Sequence, residues 1–236
     1  MNQPYIFKKQ IITLSVCVSS IIFCLYNHLD NSIPLSYFFI VLTITFLPYI
    51  RSKFPYPLWL HNFIFNLPFW IPLVYINNCK VFHFSTTLYL ILFIICTLWT
   101  VYSLKTKKVH FYITSTDKYE HYFNILYYTY SLITEELYFR AFIISILQQY
   151  HINIAFIIII SSALFVFTHF INRWANITFN LKIYVLQFIL SILSAIFYYY
   201  GKSILYCIIL HFFFNIQDYI SEIYMLIHSS DSLFDE

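Results

Sequence analysis

Apolar residues in this chain come in runs of about twenty, one after another, with few charged side chains inside them. That is the length a helix needs to cross the hydrocarbon core of a bilayer. Eight such stretches can be read, at about 11–28, 33–50, 57–77, 81–104, 121–149, 152–172, 183–200 and 203–228. The expected fold is therefore all-α, a polytopic transmembrane helix bundle of about eight spans. Composition argues the same way. Of 236 residues, 61% are hydrophobic and only 10% are charged, where a typical soluble domain has about 45–50% and about 25%. An ordinary soluble domain is excluded, and so is intrinsic disorder, which needs low hydrophobicity and high net charge.

Several function classes fall away at once. Gly201 is the only glycine, so phosphate-cradling loops and dinucleotide fingerprints are ruled out. The five cysteines (Cys17, Cys24, Cys79, Cys96, Cys207) show no C-x-x-C and no tight spacing, which argues against a disulfide scaffold or a Cys-type zinc site. Basic residues are too few and too scattered for a nucleic-acid footprint, so no nucleic-acid partner is expected.

The first stretch follows Lys8 and Lys9 as in a signal peptide, but it is too long and lacks a small-x-small cleavage site. It reads as an uncleaved first span. With the N-terminus inside, eight spans place Lys8, Lys9, Arg51, Lys53, Lys105, Lys107, Lys108, Lys118, Arg173 and Lys182 on the cytoplasmic side. Only Lys80 and Lys202 fall outside, which favours this orientation under the positive-inside rule. An integral protein of a bacterial plasma membrane is expected, with both termini cytoplasmic. All seven prolines lie within the first 72 residues, and 105–118 is the longest polar loop. The chain is accordingly divided into N-terminal transmembrane helices over 1–118, a helical core over 119–228 and a short acidic tail over 229–236.

The core carries residues that hydrocarbon disfavours. Within the fifth stretch run Thr134-Glu135-Glu136-Leu137-Tyr138-Phe139-Arg140. A charged residue at the bilayer centre costs about 2.5–3.5 kcal/mol on insertion scales. Glu136 and Arg140 stand one helical turn apart and can pair on one face. Glu135 points about 100° away and is free to address another helix. A buried ion pair that fixes packing explains Glu136 with Arg140. It does not explain the second carboxylate, and intramembrane ionisable groups are functional by default.

Two further stretches carry polar residues at the same four-residue spacing: Phe165-x-x-x-His169 in the sixth and His211-x-x-x-Asn215 in the eighth. Taken alone, His169 reads as a hydrogen-bonded interhelical histidine, and His211 with Asn215 as polar glue between helices. The other histidines, His28, His61, His83, His110, His121, His151 and His228, sit near span ends or in loops and carry no motif. Three polar patterns in succession can converge on one cavity.

Together, Glu135-Glu136-x-x-x-Arg140, Phe165-x-x-x-His169 and His211-x-x-x-Asn215 resemble the signature of the CAAX-protease and bacteriocin-processing (CPBP, or ABI) family of intramembrane proteases. Its eukaryotic members are type II CAAX prenyl endopeptidases. The lead-in Gly201-Lys202-Ser203-Ile204-Leu205 is similar to the family's turn before its last motif. The resemblance covers about 120–220, and the first four stretches show no matching signature.

The resemblance implies a division of labour. Glu135 would be the general base and His169 would help hold the attacking water. His211 and Asn215 would stabilise the oxyanion. Glu136 and Arg140 would organise the surroundings, with Arg140 compensating charge. No cofactor is favoured. A zinc ion held by Glu135, His169 and His211 is the rival mechanism, although the chain has no His-Glu-x-x-His and Asn is a poor zinc ligand. The implied function is hydrolysis of a peptide bond in a membrane-anchored, prenylated or otherwise lipidated peptide, with membrane lipids as surroundings. The alternatives are a non-catalytic bacteriocin-immunity or binding protein on the same fold, and a small transporter or proton relay, which would more usually show repeated halves and Gly/Pro-broken spans.

Overall fold

The computed structural model describes residues 3–27, 30, 32–54, 58–70, 85–106, 118–171 and 179–228. Ten α-helices follow one another among them: α1 Gln3–Tyr26, α2 Ser32–Lys53, α3 Leu58–Asn66, α4 Thr86–Thr106, α5 Lys118–Glu136, α6 Ile144–Gln149, α7 Ile154–Ile171, α8 Leu181–Gly201, α9 Ile204–Phe214 and α10 Ile216–His228. A 3₁₀ turn, Leu67–Phe69, extends α3. A π-helical segment, Leu137–Ile143, joins α5 to α6 without a break. No strand occurs among the described residues, and the all-α class is as expected.

The described residues show fewer clear spans than the expected eight. Among the described residues, α2, α4, α7 and α8 are long and apolar enough to cross a membrane, and the pair α9–α10 adds a fifth if counted as one span. Helix α5 carries Lys118, Glu120, Glu135 and Glu136 in its nineteen residues, more charge than the other long helices tolerate. The apolar part of α1, Gln10–Tyr26, is short. The expected stretch 203–228 is broken, with α9 and α10 meeting at 63° on Asn215. The stretches at 57–77 and 81–104 lie only partly within the described residues. Lys80, Lys107, Lys108, Arg173 and the acidic tail lie outside them.

Helix ends follow local chemistry. Asn153 caps α7 by accepting the Ala155 N–H at 2.9 Å, and Asn180 caps α8 by accepting the Ile183 N–H at 3.0 Å. Helix α8 stops at Gly201. The next residue, Lys202, takes a left-handed conformation, and its N–H returns to the Tyr198 carbonyl at 2.8 Å.

Two apolar clusters flank the polar motifs. One joins Tyr37, Ile40 and Ile44 of α2 to Phe139 and Phe142 of the π segment and Phe165 of α7. The other joins Leu92 and Cys96 of α4 to Leu190 and Phe197 of α8 and Tyr206 and Leu210 of α9. Large apolar side chains such as Phe23, Phe93, Leu98 and Phe156 face outward, as helices surrounded by lipid require.

The lone glycine sits at a close approach. A Cβ on Gly201 would lie 2.6 Å from the Tyr206 ring. Tyr206 is fully buried, stacks near Phe197 and accepts the Ser85 N–H at 3.0 Å, so its ring has nowhere to swing. Gly201→Ala is expected to cost about 1–3 kcal/mol through overpacking. The readout is a lowered thermal midpoint in detergent micelles. An unchanged midpoint would mean that the α8–α9 corner yields freely.

Candidate active site

The two adjacent carboxylates close helix α5, and the backbone changes its winding immediately after them. Leu137–Ile143 is π-helical, a wider turn with i→i+5 bonding that recurs at functional sites. The Ser161 hydroxyl of α7 donates to the Phe139 carbonyl inside this segment at 2.8 Å, tying the wide turn to the neighbouring helix. Helix α2 buttresses the same region. Its Ser36 hydroxyl bonds the Tyr138 hydroxyl at 2.6 Å. Its Tyr37 hydroxyl donates to the Leu164 carbonyl at 2.8 Å, and the Thr168 hydroxyl lies 3.0 Å from it.

Glu135 and Glu136 separate into different surroundings, as their angular offset requires. Glu136 is fully buried. Its Oε2 lies 3.0 Å from Arg140 Nε, and its Oε1 accepts from His211 Nδ1 at 2.8 Å. Arg140 is also fully buried, and its contact with Glu136 is ionic rather than an aligned hydrogen bond. Its guanidinium lies over the Phe165 ring, 5.2 Å from the centroid. The spacing argument for a Glu136–Arg140 pair holds.

Glu135 faces the other way, towards α7, and keeps partial access to solvent, with a side chain 16% exposed. Its Oε1 accepts from the Ser131 hydroxyl at 2.8 Å. Its Oε2 lies 3.8 Å from His169 Nε2. That is too long for a direct hydrogen bond and short enough for both atoms to share one donor. His169 Nδ1 lies 3.0 Å from the Phe165 carbonyl. A carbonyl only accepts, so Nδ1 carries the proton, and in the neutral ring Nε2 presents a lone pair towards Glu135.

The Phe165 ring joins the two halves of the site. Its centroid lies 4.5 Å from that of His169 and 5.9 Å from that of His211. Three separate helical regions thus meet, but as two linked groups: Glu135 with His169, and Glu136 with Arg140 and His211. Asn215 sits at the C-terminus of α9, where its N–H closes the last turn on the His211 carbonyl at 3.1 Å. Its side chain makes no hydrogen bond to these carboxylates or imidazoles. His211 Nδ1 is engaged by Glu136, which leaves Nε2 as the ring atom facing away from that carboxylate. Among the described residues no group of three His, Cys, Asp or Glu side chains is arranged to hold an ion.

One polar group was misjudged from the sequence. His121 reads as an interfacial histidine, yet it is buried near the start of α5, and its Nδ1 lies 2.7 Å from Glu222 Oε2 on α10. The Asn124 amide donates to the other oxygen of Glu222 at 3.3 Å. The two partners lie about a hundred positions apart, so no local spacing announces the pair.

Residues 120–217 match the family described as type II CAAX prenyl endopeptidase Rce1-like. The chain matches no curated protein and no solved structure. The family match supports an intramembrane CAAX-type protease, and it covers all three motifs while leaving α1–α4 outside it.

Proposed function

We propose that the chain cleaves a peptide bond near a lipidated cysteine, within the membrane, by water activated on Glu135. The observation that carries this reading is the facing pair of acceptors, Glu135 Oε2 and His169 Nε2, 3.8 Å apart at a partly exposed edge of the bundle. A water that donates one hydrogen to each directs its oxygen lone pairs away from both, towards an incoming carbonyl. As the bond forms, Glu135 takes one proton and His169 holds the oxygen in line. His211, anchored through Nδ1 to Glu136, offers its remaining ring nitrogen, when protonated, to the developing oxyanion. Asn215, one turn further at the bend, is the second donor to that oxygen. Glu136 and Arg140 hold His211 in place and take no proton. The site is apolar around these groups, which strengthens each electrostatic contact relative to water.

The substrate class follows from the family match and from the site's place inside an apolar bundle. A carboxylate among lipid-facing helices reaches a scissile bond only if the peptide is itself held at the membrane. The test is cleavage of a farnesylated peptide ending in a CAAX sequence by the full chain in proteoliposomes. Release of the C-terminal tripeptide is expected, with no loss of rate under a strong chelator. A folded protein that leaves this peptide intact, or that cleaves it equally well without the Glu135 carboxylate, would end the proposal.

A further inference from the structure

We propose that helix α4, outside the matched segment, clamps the bend between α9 and α10 through Trp99 and Ser103 and so sets where the Asn215 side chain stands. This rests on the reading of Asn215 as a donor to the oxyanion. The backbone of Asn215 belongs to both helices. Its N–H closes α9 on the His211 carbonyl at 3.1 Å, and its carbonyl opens α10 by accepting the Asp218 N–H at 3.0 Å. The direction of its side chain therefore follows the 63° angle between the two helices. Neither Pro nor Gly enforces the break, so it is held by side chains that reach into the backbone ladder.

Those side-chain contacts join α4 to both sides of Asn215. In an unbroken helix the Phe214 carbonyl would receive the Asp218 N–H. Here that N–H goes to Asn215, and the Trp99 indole N–H donates to the Phe214 carbonyl at 3.3 Å. The Trp99 ring also stacks on the Phe214 ring, with centroids 4.5 Å apart and planes inclined by 8°. One turn further along α4, the Ser103 carbonyl accepts from the side-chain amide of Gln217, two residues past the bend. Ser103 and Gln217 are both buried, which shields this bond from water. Trp99 and Ser103 stand four residues apart and share one face of α4. A single helix face thus grips the residue before Asn215 and the second residue after it. Further along α10, Glu222 is held by His121 and Asn124 of α5. The helix therefore stays docked when the α4 contacts are removed, and the corner alone slackens.

Trp99 and Gln217 are positioning residues, and they act through Asn215 without touching substrate. Two arms test the clamp with the full chain in proteoliposomes. The first measures kcat and KM on the farnesylated CAAX peptide. Trp99→Phe keeps a ring beside Phe214 and loses the N–H, and Gln217→Leu keeps the bulk and loses the amide. Each is expected to lower kcat about tenfold with KM unchanged, because a misplaced catalytic group loses rate rather than binding. Asn215→Ala itself should cost about 10²–10³ in kcat, as a lost oxyanion donor does. In that background neither variant should change the rate by more than about twofold, since a group that acts only through Asn215 has nothing left to position. Losses that multiply in full would mean that α4 acts elsewhere and would overturn the proposal. An Asn215→Ala variant as fast as the parent would overturn it too, while leaving Glu135 in the chemistry.

The second arm needs no catalysis. Spin-labelled amino acids at Ile94 of α4 and Asp218 of α10, both exposed, report the distance between the two helices by double electron–electron resonance. The distance distribution should shift or broaden when Trp99→Phe and Gln217→Leu are combined. A distribution identical to the parent's would overturn the clamp. If the parent cleaves nothing while the distribution responds as described, the protease reading fails and the clamp stands.

Discussion

Glu136→Gln is expected to destabilise the helical core by about 3–5 kcal/mol, the range for breaking a buried pair and stranding one charge. The stranded charge is Arg140, which is fully buried, makes no hydrogen bond through either terminal nitrogen among the described residues, and lies against the Phe165 ring. His211 loses its carboxylate in the same step. Helix packing around the π segment depends on all three, because Ala141, Phe142 and Ile143 pack immediately beyond Arg140 in fully buried positions. Unfolding by a mixed-detergent titration is the measurement. Adding Arg140→Gln to Glu136→Gln should restore part of the loss, since neutralising the orphan removes its desolvation cost. Two single variants as stable as the parent would show that the pair is dispensable.

The adjacent substitution should do the opposite. Glu135→Gln is expected to leave the unfolding midpoint within about 0.5 kcal/mol of the parent, as for a group with solvent access outside the packed core. Cleavage should fall by about 10²–10⁴, the contribution of a positioned general base. Glutamine has the same shape, and its carbonyl oxygen can still accept from Ser131 as Glu135 Oε1 does at 2.8 Å. It cannot take a proton from water. Single-turnover release of the tripeptide separates the two effects, because it does not depend on product leaving. A variant that keeps more than a tenth of the parent rate would remove Glu135 from the chemistry. The contrast between two neighbouring carboxylates, one needed for stability and one for rate, is the sharpest consequence of their different faces on α5.

The helical class and the pairing of Glu136 with Arg140 were legible because both depend on short-range periodicity. Apolar runs of spanning length fix the class, and a four-residue offset on a helix fixes the pair. The allocation of the histidines was less legible. Spacing within α9 shows that His211 stands one turn from Asn215, but not which of two adjacent carboxylates it will meet. That choice depends on the rotation of α5 against α9, set by packing from helices far along the chain. The break at Asn215 was also hidden. Nothing in Phe213-Phe214-Asn215-Ile216 contains Pro or Gly, so no local signal marks a 63° bend. The His121–Glu222 contact escaped for a similar reason, since it joins helices that are remote in sequence. The π segment gave no sign either, because the extra residue in a wide turn changes no composition.

That wide turn makes the chain sensitive to length as well as to identity. Loss of one residue anywhere in Leu137–Ile143 would let the backbone tighten to ordinary winding, and everything beyond would rotate by roughly 100° relative to the two glutamates. Phenylalanines now facing Tyr37 and Phe165 would be carried towards the acyl chains, and a guanidinium would risk the same fate. Exchanges among Ile, Leu and Phe on the outer surface alter little that the site can sense. A single missing codon in those seven positions would dismantle it, so homologous sequences should permit no gap there.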